Sequence, residues 1–245
     1  MRVALCFWGL CRSTDIVIES IQRCIFSVLQ GAEIDYDIYL HTYTLYRPYT
    51  NTRAEEVNLQ LKNTLWKLLV PTKSIVEDQD TVDTMLELKK YRLRGDPWKH
   101  ESGNVPFATL DNHVRALWSL HQVTELWSNS GVEYTKVIYL RPDCLFRNPL
   151  RLEWLYEPLK RTVLIPDFHI VHGCNDRFAI GEPDAMKVYG SRFTEALGYS
   201  KTNLLHSEAY LFDTMTMKGY AFQTVPFRFR RVRAGGFVFE GDKAI

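Results

Sequence analysis

The chain has 245 residues, of which 46% are hydrophobic and 24% charged, and its formal net charge is +1. This length allows one large domain or two small ones with a substantial core, and the composition is that of a globular protein. A net charge this close to zero creates no global field that would attract nucleic acid or an anionic membrane. The balance of charges therefore predicts neither of these partners.

The five cysteines are odd in number and include no Cys-x-x-Cys pair. This pattern favours reduced thiols in a cytosol-like compartment over a disulfide framework, and it lacks the spacing of a zinc site. The apolar run at the N-terminus is too short for a signal peptide, and no run is long enough to span a bilayer. We therefore expect a cytoplasmic protein without a transmembrane segment.

The opening of the chain predicts a strand, a helix and a second strand. Residues 2–8 are apolar and stop at Gly9, and Ser13 or Thr14 can cap a helix that ends at Gly31. Residues 37–42 form the next β-rich run. A β-loop-α-β order is typical of a parallel α/β sheet.

The next part of the chain predicts alternating loops and helices. We expect a polar loop at 47–53, a helix at 54–69, a strand at 73–76, a solvated acidic turn and helix cap at 77–80 and a helix at 84–91. Residues 93–107 are rich in Gly and Pro and predict a long irregular segment of the kind that often covers a functional site.

The second half predicts a long amphipathic helix and further strands. The helix starts at Thr109 or Asp111 and closes at 129–131. We then expect strands from 137, at 162–166 and at 178–180, helices at 184–189 and 193–197 and from 205, and an exposed basic edge strand at 225–233. The chain has no repeat and no obvious linker, which predicts a single domain over residues 1–245.

An apolar run from Lys136 stops abruptly at Arg141-Pro142-Asp143. Proline fixes its own φ and biases Arg141 toward an extended conformation. The pattern predicts one carboxylate, that of Asp143, held at the rim of the sheet. The alternative is that Asp143 only caps a turn.

Two further acids, Asp176 and Glu208, also lie where one element gives way to the next. In open α/β sheets such positions gather at the carboxyl edge, where ligands bind. Asp176 has an alternative role as the ion-pair partner of Arg177. Glu208 has an alternative role near a helix N-terminus, where its negative charge interacts favourably with the helix dipole.

The turn from Gly9 to Ser13 leads from a strand into a helix N-terminus, where backbone amides favour an anion. The guanidinium of Arg12 would add donors that suit phosphate. Acids and arginines around such a turn predict a ligand that carries a diphosphate, with the acids able to hold a divalent cation. The arginines within residues 228–233 would add further cationic donors; their alternative role is to form a solvated edge strand.

The order of these motifs resembles that of GT-A-type glycosyltransferase-like proteins. The motifs are Gly9-x-x-Arg12-Ser13, residues 37–42 (Asp-Ile-Tyr-Leu-His-Thr), residues 139–143 (Tyr-Leu-Arg-Pro-Asp), residues 175–181 (Asn-Asp-Arg-Phe-Ala-Ile-Gly) and Ser207-Glu208. They are most similar to a branch, found in bacteria, algae and large viruses, in which Arg-Pro-Asp replaces Asp-x-Asp.

The resemblance implies a GT-A-like (nucleotide-diphospho-sugar transferase) domain with a mixed, mostly parallel sheet flanked by helices. It implies a UDP- or GDP-sugar donor, a glycan or glycoconjugate acceptor and a part in glycan biosynthesis. Catalysis would fall to Glu208 and Asp176, and Asp143 would touch Mn²⁺ or Mg²⁺. The residues implied to bind the nucleotide sugar are Gly9, Arg12, Ser13, His41, Thr42, Arg141, Asp143, Asn175 and Arg177.

One departure weakens the metal site, because Arg141 occupies the place of the first acid of Asp-x-Asp. Catalysis without a metal, with arginines taking the charge, is therefore a second hypothesis. Two other functions stay open: an inactive relative that binds a nucleotide or carbohydrate, and a sugar-phosphate nucleotidyltransferase. The Gly-rich, Lys-bearing N-terminal loop usual in the latter is absent from the sequence.

Overall fold

The structure is a computed structural model that describes residues 1–238. In that range the strands are β1 Arg2–Trp8, β2 Asp35–Thr44, β3 Tyr49–Asn51, β4 Glu56–Leu59, β5 Lys73–Asp78, β6 Lys136–Leu140, β7 Cys144–Phe146, β8 Thr162–Pro166, β9 Phe178–Gly181, β10 Ala221–Val225 and β11 Phe229–Arg231.

The helices are α1 Thr14–Ile21, α2 Ser27–Gly31, α3 Gln79–Leu86, α4 Ala108–Ser128, α5 Glu153–Tyr156, α6 Pro183–Gly190, α7 Phe193–Ser200 and α8 Ser207–Met217. A π-helical segment, Gln22–Phe26, joins α1 to α2, and short 3-10 helices cover Thr52–Ala54, Leu65–Leu69 and Leu88–Arg92. Among these, no helix is both long and apolar enough to cross a membrane.

Seven strands form the main sheet in the order β10-β8-β9-β6-β1-β2-β5. All neighbouring pairs are parallel except those of β9, which runs antiparallel to β6 and to β8. The predicted α/β class, with a mixed, mostly parallel sheet flanked by helices, is confirmed. Because Leu140 at the end of β6 pairs with Phe178 at the start of β9, the residues that follow β6 and precede β9 share one rim of the sheet.

The hydrophobic core lies on both faces of the sheet. Alternate residues of β1 divide between the faces: Val3, Leu5 and Phe7 pack with α1 and α2, whereas Ala4 and Cys6 pack with α4, α6 and α8. A parallel strand buried on both faces must be apolar throughout, which explains the uninterrupted apolar runs of β1 and β6.

The helix predicted at 54–69 is wrong. This segment contains β4 and a 3-10 helix instead, and Glu56 is fully buried, with its carboxylate bound by Arg12 at 2.7 Å. A charged side chain cannot be buried without its partner, so this tertiary contact overrides the local helical propensity.

The exposed edge strand predicted at 225–233 is correct only in part, because the strand covers Phe229–Arg231 and Phe229 is buried. The main sheet ends at β10, and β11 pairs antiparallel with β7 in a separate two-stranded ladder. Phe227 and Phe229 are buried against Phe146, so aromatic packing turns this segment inward. The acidic turn predicted at 77–80 is corrected too, because Glu77 belongs to β5, whereas Asp78 does cap α3. Residues 93–107 contain neither helix nor strand, as predicted.

Two glycines offer a matched test of the packing between α4, α6 and β6. A Cβ on Gly190 would overlap Thr124 Oγ1 and the Tyr139 hydroxyl, whereas a Cβ on Gly198 in α7 would have no atom within 4 Å. We expect Gly190→Ala to lower the free energy of unfolding by about 1–3 kcal/mol and Gly198→Ala to raise it by about 0.5–1 kcal/mol. Urea unfolding checks both values, and effects of the same sign would contradict the packing described.

Candidate active site

The elements that carry the predicted acids converge on one cavity at the rim of the sheet. Its volume is about 590 Å³. Six of the predicted site residues line it, namely Arg12, Arg141, Asp143, Asp176, Arg177 and Glu208. Asp143 follows β6 and Asp176 precedes β9, so the register of these two strands brings them to one rim, and the first turn of α8 adds Glu208.

Asp143 lies between two arginines. Its Oδ1 accepts from Arg141 Nε at 2.9 Å, and its Oδ2 accepts from Arg141 Nη2 at 2.9 Å. The same Oδ2 also accepts from Arg12 Nε at 3.1 Å and from Arg12 Nη2 at 2.8 Å. Asp143 is fully buried, and Arg12 is 8% exposed. The carboxylate therefore joins the end of β6 to the turn that follows β1.

The remaining donors of Arg12 extend this network. Its Nη1 donates to the Tyr49 hydroxyl at 2.9 Å and to Glu56 Oε2 at 2.7 Å. Glu56 Oε1 accepts from the backbone N–H of Ala234 at 2.7 Å. Two buried carboxylates thus flank Arg12, and the network ties the β3–β4 hairpin and the C-terminal segment to the β1 turn.

The electrostatic state of Asp143 follows from these contacts. Burial alone would raise the pKa of its carboxyl, but the charges of Arg141 and Arg12 outweigh burial and hold this pKa well below the ordinary range. Asp143 is therefore ionised near pH 7.

Asp176 and Glu208 form a second acidic pair, with Arg177 between them. Arg177 Nη1 lies 3.6 Å from Asp176 Oδ1, and Arg177 Nη2 lies 3.5 Å from Glu208 Oε1. Burial and the charge of Asp176 raise the pKa of Glu208. Burial also opposes ionisation of Asp176, but Arg177, His113 and nearby arginines outweigh it and lower its pKa. Two neighbouring carboxyls in the cavity thus differ in their tendency to hold a proton.

A wall of aromatic and imidazole rings faces these acids. The rings of Trp98 and His206 stack at 5.0 Å, and those of Trp98 and His113 meet edge to face at 6.0 Å. Burial lowers the pKa of His113 to about 3 and also lowers that of His206. Both imidazoles are therefore neutral near pH 7, and this wall offers hydrogen-bonding groups without charge.

Four other predicted residues lie outside the cavity lining among residues 1–238. Ser13 donates to Val232 O, and Thr42 accepts from the Cys11 N–H. His41 is buried between Ser119 and Glu77, and Asn175 donates to Phe168 O. Their hydrogen-bonding groups hold turns and strand ends in place.

Gly9 lines a smaller pocket of about 130 Å³ that shares Arg12 and Arg141 with the main cavity. Its φ of +93° lies in the left-handed region that favours glycine, and a Cβ there would lie 3.5 Å from Arg141 Nη1. The glycine therefore lets the β1 turn approach Arg141 closely.

Several lining residues carried little or no sequence signal. Trp98 lies in the irregular segment predicted as a cover, and His206 directly precedes Ser207-Glu208. His113 belongs to the first turns of an amphipathic helix, and that pattern gives no sign of a site. The others are Trp8, Asn51, Arg53, Ala54, Glu101, Ser102, Thr109, Asn112, Ala116, His169, Val171, Ser207, Arg231 and Arg233.

The divalent cation implied for Asp143 can be tested against this geometry. Mg²⁺ and Mn²⁺ require oxygen ligands, and each oxygen of Asp143 is already bound by guanidinium N–H groups. Within residues 1–238, no group of three or more His, Cys, Asp or Glu side chains is placed to hold a metal ion. The donor set at Asp143, as arranged, does not fit a divalent cation.

No protein-family model and no curated protein matches this sequence. Among solved structures, the chain is similar to mouse xyloside xylosyltransferase 1 in its apo form, with 13% identity, 92% of this chain and 85% of that chain covered, and a TM-score of 0.42. It is also similar to the galactosyltransferase LgtC in complex with donor and acceptor sugar analogues, with 10% identity, 91% and 73% coverage and a TM-score of 0.42. At this level the likeness carries no argument about activity.

The arginine pair predicts a large effect of removing the charge of Asp143. We expect Asp143→Asn to lower the free energy of unfolding by about 3–5 kcal/mol, because Arg141 loses its anion and Arg12 loses one of its two. Chemical denaturation measures this value. As a matched control, Asp15→Asn removes an acid that pairs with Lys62 at the surface and should change stability by less than about 1 kcal/mol. Equal effects would contradict the central role of Asp143.

Proposed function

We propose that this chain is a GT-A-like glycosyltransferase that moves a sugar from a nucleotide-sugar donor, a UDP- or GDP-sugar, to a hydroxyl of a glycan or glycoconjugate. The observation that carries the proposal is the pairing, in one cavity, of an arginine cluster with two carboxyls of opposite pKa shift. The arginine cluster suits a diphosphate, and a carboxyl with a raised pKa suits proton transfer from a hydroxyl.

The arginine cluster suits the leaving group of such a reaction. Six arginines and four carboxylates line the cavity, so its lining carries an excess of positive charge. Guanidinium groups bind phosphate oxygens through paired N–H donors, and fixed positive charge stabilises the diphosphate as the glycosidic bond to it breaks.

Glu208 suits the proton transfer. In an inverting reaction, the acceptor oxygen attacks the anomeric carbon, the bond from that carbon to the donor phosphate breaks, and the hydroxyl proton passes to a carboxylate. A carboxylate with a raised pKa is the stronger base, which favours Glu208 over Asp176 for this role. Asp176 then stays ionised and positions Arg177.

The five cysteines are buried and form no disulfide among residues 1–238. This state suits a reducing compartment, and we include a cytoplasmic location in the proposal.

A panel of nucleotide sugars and nucleoside diphosphates tests the proposal through thermal stability. Ligand at about a hundred times its Kd should stabilise the protein by about 2.7 kcal/mol. No response to any member of the panel would remove the basis for a donor site. Binding without donor turnover would favour an inactive relative, and consumption of a nucleoside triphosphate with release of pyrophosphate would favour a nucleotidyltransferase.

The role of Glu208 predicts a specific pH dependence. The base is the ionised carboxylate, so kcat/KM should fall as the pH drops through its raised pKa, above the range of an ordinary glutamate. Glu208→Gln should lower kcat by about 10²–10⁴-fold. The matched control is Glu195→Gln, which removes a surface acid paired with Lys218. Unchanged kcat in Glu208→Gln, with the fold intact by circular dichroism, would assign the base elsewhere.

A further inference from the structure

The carboxylate of Asp143 is buried and is bound by guanidinium groups at both oxygens. Three of the four N–H bonds from Arg12 and Arg141 reach Oδ2 and one reaches Oδ1, and the side chain is only 1% exposed. A metal ion at this carboxylate would either lie against two guanidinium charges in a buried site or displace one of them, and both are strongly unfavourable.

Arg12 is not free to move aside. Its Nη1 is bound by Tyr49 and by Glu56, and Glu56 is completely buried. Displacing Arg12 from Asp143 would therefore disturb a second buried charge. The network resists rearrangement around an incoming cation.

Arg141 differs from Arg12 because part of its guanidinium is unused. Its Nε and Nη2 bind Asp143, whereas its Nη1 makes no hydrogen bond within the described residues. Its side chain is 19% exposed and lines both the main cavity and the pocket beside Gly9. Asp143 and the ring of Trp8, 5.0 Å from the guanidinium carbon, hold it in place. Arg141 thus presents a fixed pair of N–H donors where the family pattern has a metal-binding acid.

The charge of the cavity agrees with this assignment. Arginines already outnumber carboxylates by six to four along its lining. This excess suits a diphosphate without help, whereas a divalent cation would add two further positive charges to the same space.

We propose that Arg141, held by Asp143, takes the place of the divalent cation, so that the arginine cluster binds the donor diphosphate without a metal. This inference rests on the proposed function for the identity of the donor. Its physical content is that a diphosphate binds to this cavity independently of Mn²⁺ and Mg²⁺.

Calorimetric titration of the wild-type protein tests the inference directly. Inorganic pyrophosphate, UDP and GDP are each titrated in EDTA and again with excess Mn²⁺. We expect binding in EDTA that Mn²⁺ tightens by no more than about threefold and that weakens as ionic strength rises. Binding that appears only with Mn²⁺, or that becomes at least about tenfold tighter with it, would overturn the inference and leave the proposed function standing.

The other outcomes separate the two proposals. If pyrophosphate binds in EDTA but neither nucleotide binds more tightly than pyrophosphate, the arginine site stands and the nucleotide-sugar function fails. If no probe binds under either condition, both fail.

A variant then assigns the binding to Arg141. Arg141→Lys keeps one positive charge but loses the paired donors, so pyrophosphate should bind about tenfold to a hundredfold more weakly in EDTA. Arg23→Lys, at an exposed position on the π-helical segment, is the matched control and should bind as the wild type does. Unchanged affinity in a folded Arg141→Lys protein would refute the role of Arg141.

Discussion

The buried ion pairs of Asp143 with Arg12 and Arg141 are the interaction on which this site depends. Together with Glu56, they form a chain of alternating charges, two positive and two negative, that runs from the cavity to the C-terminal segment. Each group is buried at the cost of its hydration, and only the neighbouring opposite charge makes that burial tolerable. The same ion pairs therefore hold both the Arg141 side chain and the surrounding turns in place.

The antiparallel direction of β9 brings Asp176 and Arg177 to the cavity. An antiparallel strand inserted between β6 and β8 begins at the rim where β6 ends, so Asp176 and Arg177 arrive opposite Asp143. The N-terminus of α8 then adds Glu208 beside them. Because Asp176 keeps its charge, Glu208 is the carboxyl that burial and repulsion can bring toward neutrality. The direction of β9 thus places the Asp176–Glu208 pair in the same cavity as the ion pairs of Asp143 with Arg12 and Arg141.

Much of the fold was predictable because buried strands and amphipathic helices carry their pattern in the sequence. β1, β6 and α4 were found from continuous or periodic apolar residues, and the strand end at Asp143 from proline geometry. Glu56 was not predictable, since a glutamate in a polar stretch gives no local sign that it will be buried under an arginine 44 residues away. The role of His41 was not predictable either. The sequence suggested a ligand-binding residue near a strand end, but its buried imidazole binds Ser119 and Glu77.

The positive charge of the cavity comes from side chains that do not change their protonation near pH 7. Burial keeps His113 and His206 neutral near pH 7, so the charge of the lining comes from arginines. Even Arg233, whose pKa burial and the neighbouring Arg12 and Arg231 lower to about 10, stays protonated at that pH. Near neutrality, the guanidinium charge of the lining is therefore constant, whereas the raised pKa of Glu208 lets its carboxyl take up a proton at a higher pH than an ordinary glutamate does. Under the proposed function, binding of the diphosphate would therefore depend less on pH than the proton transfer assigned to Glu208.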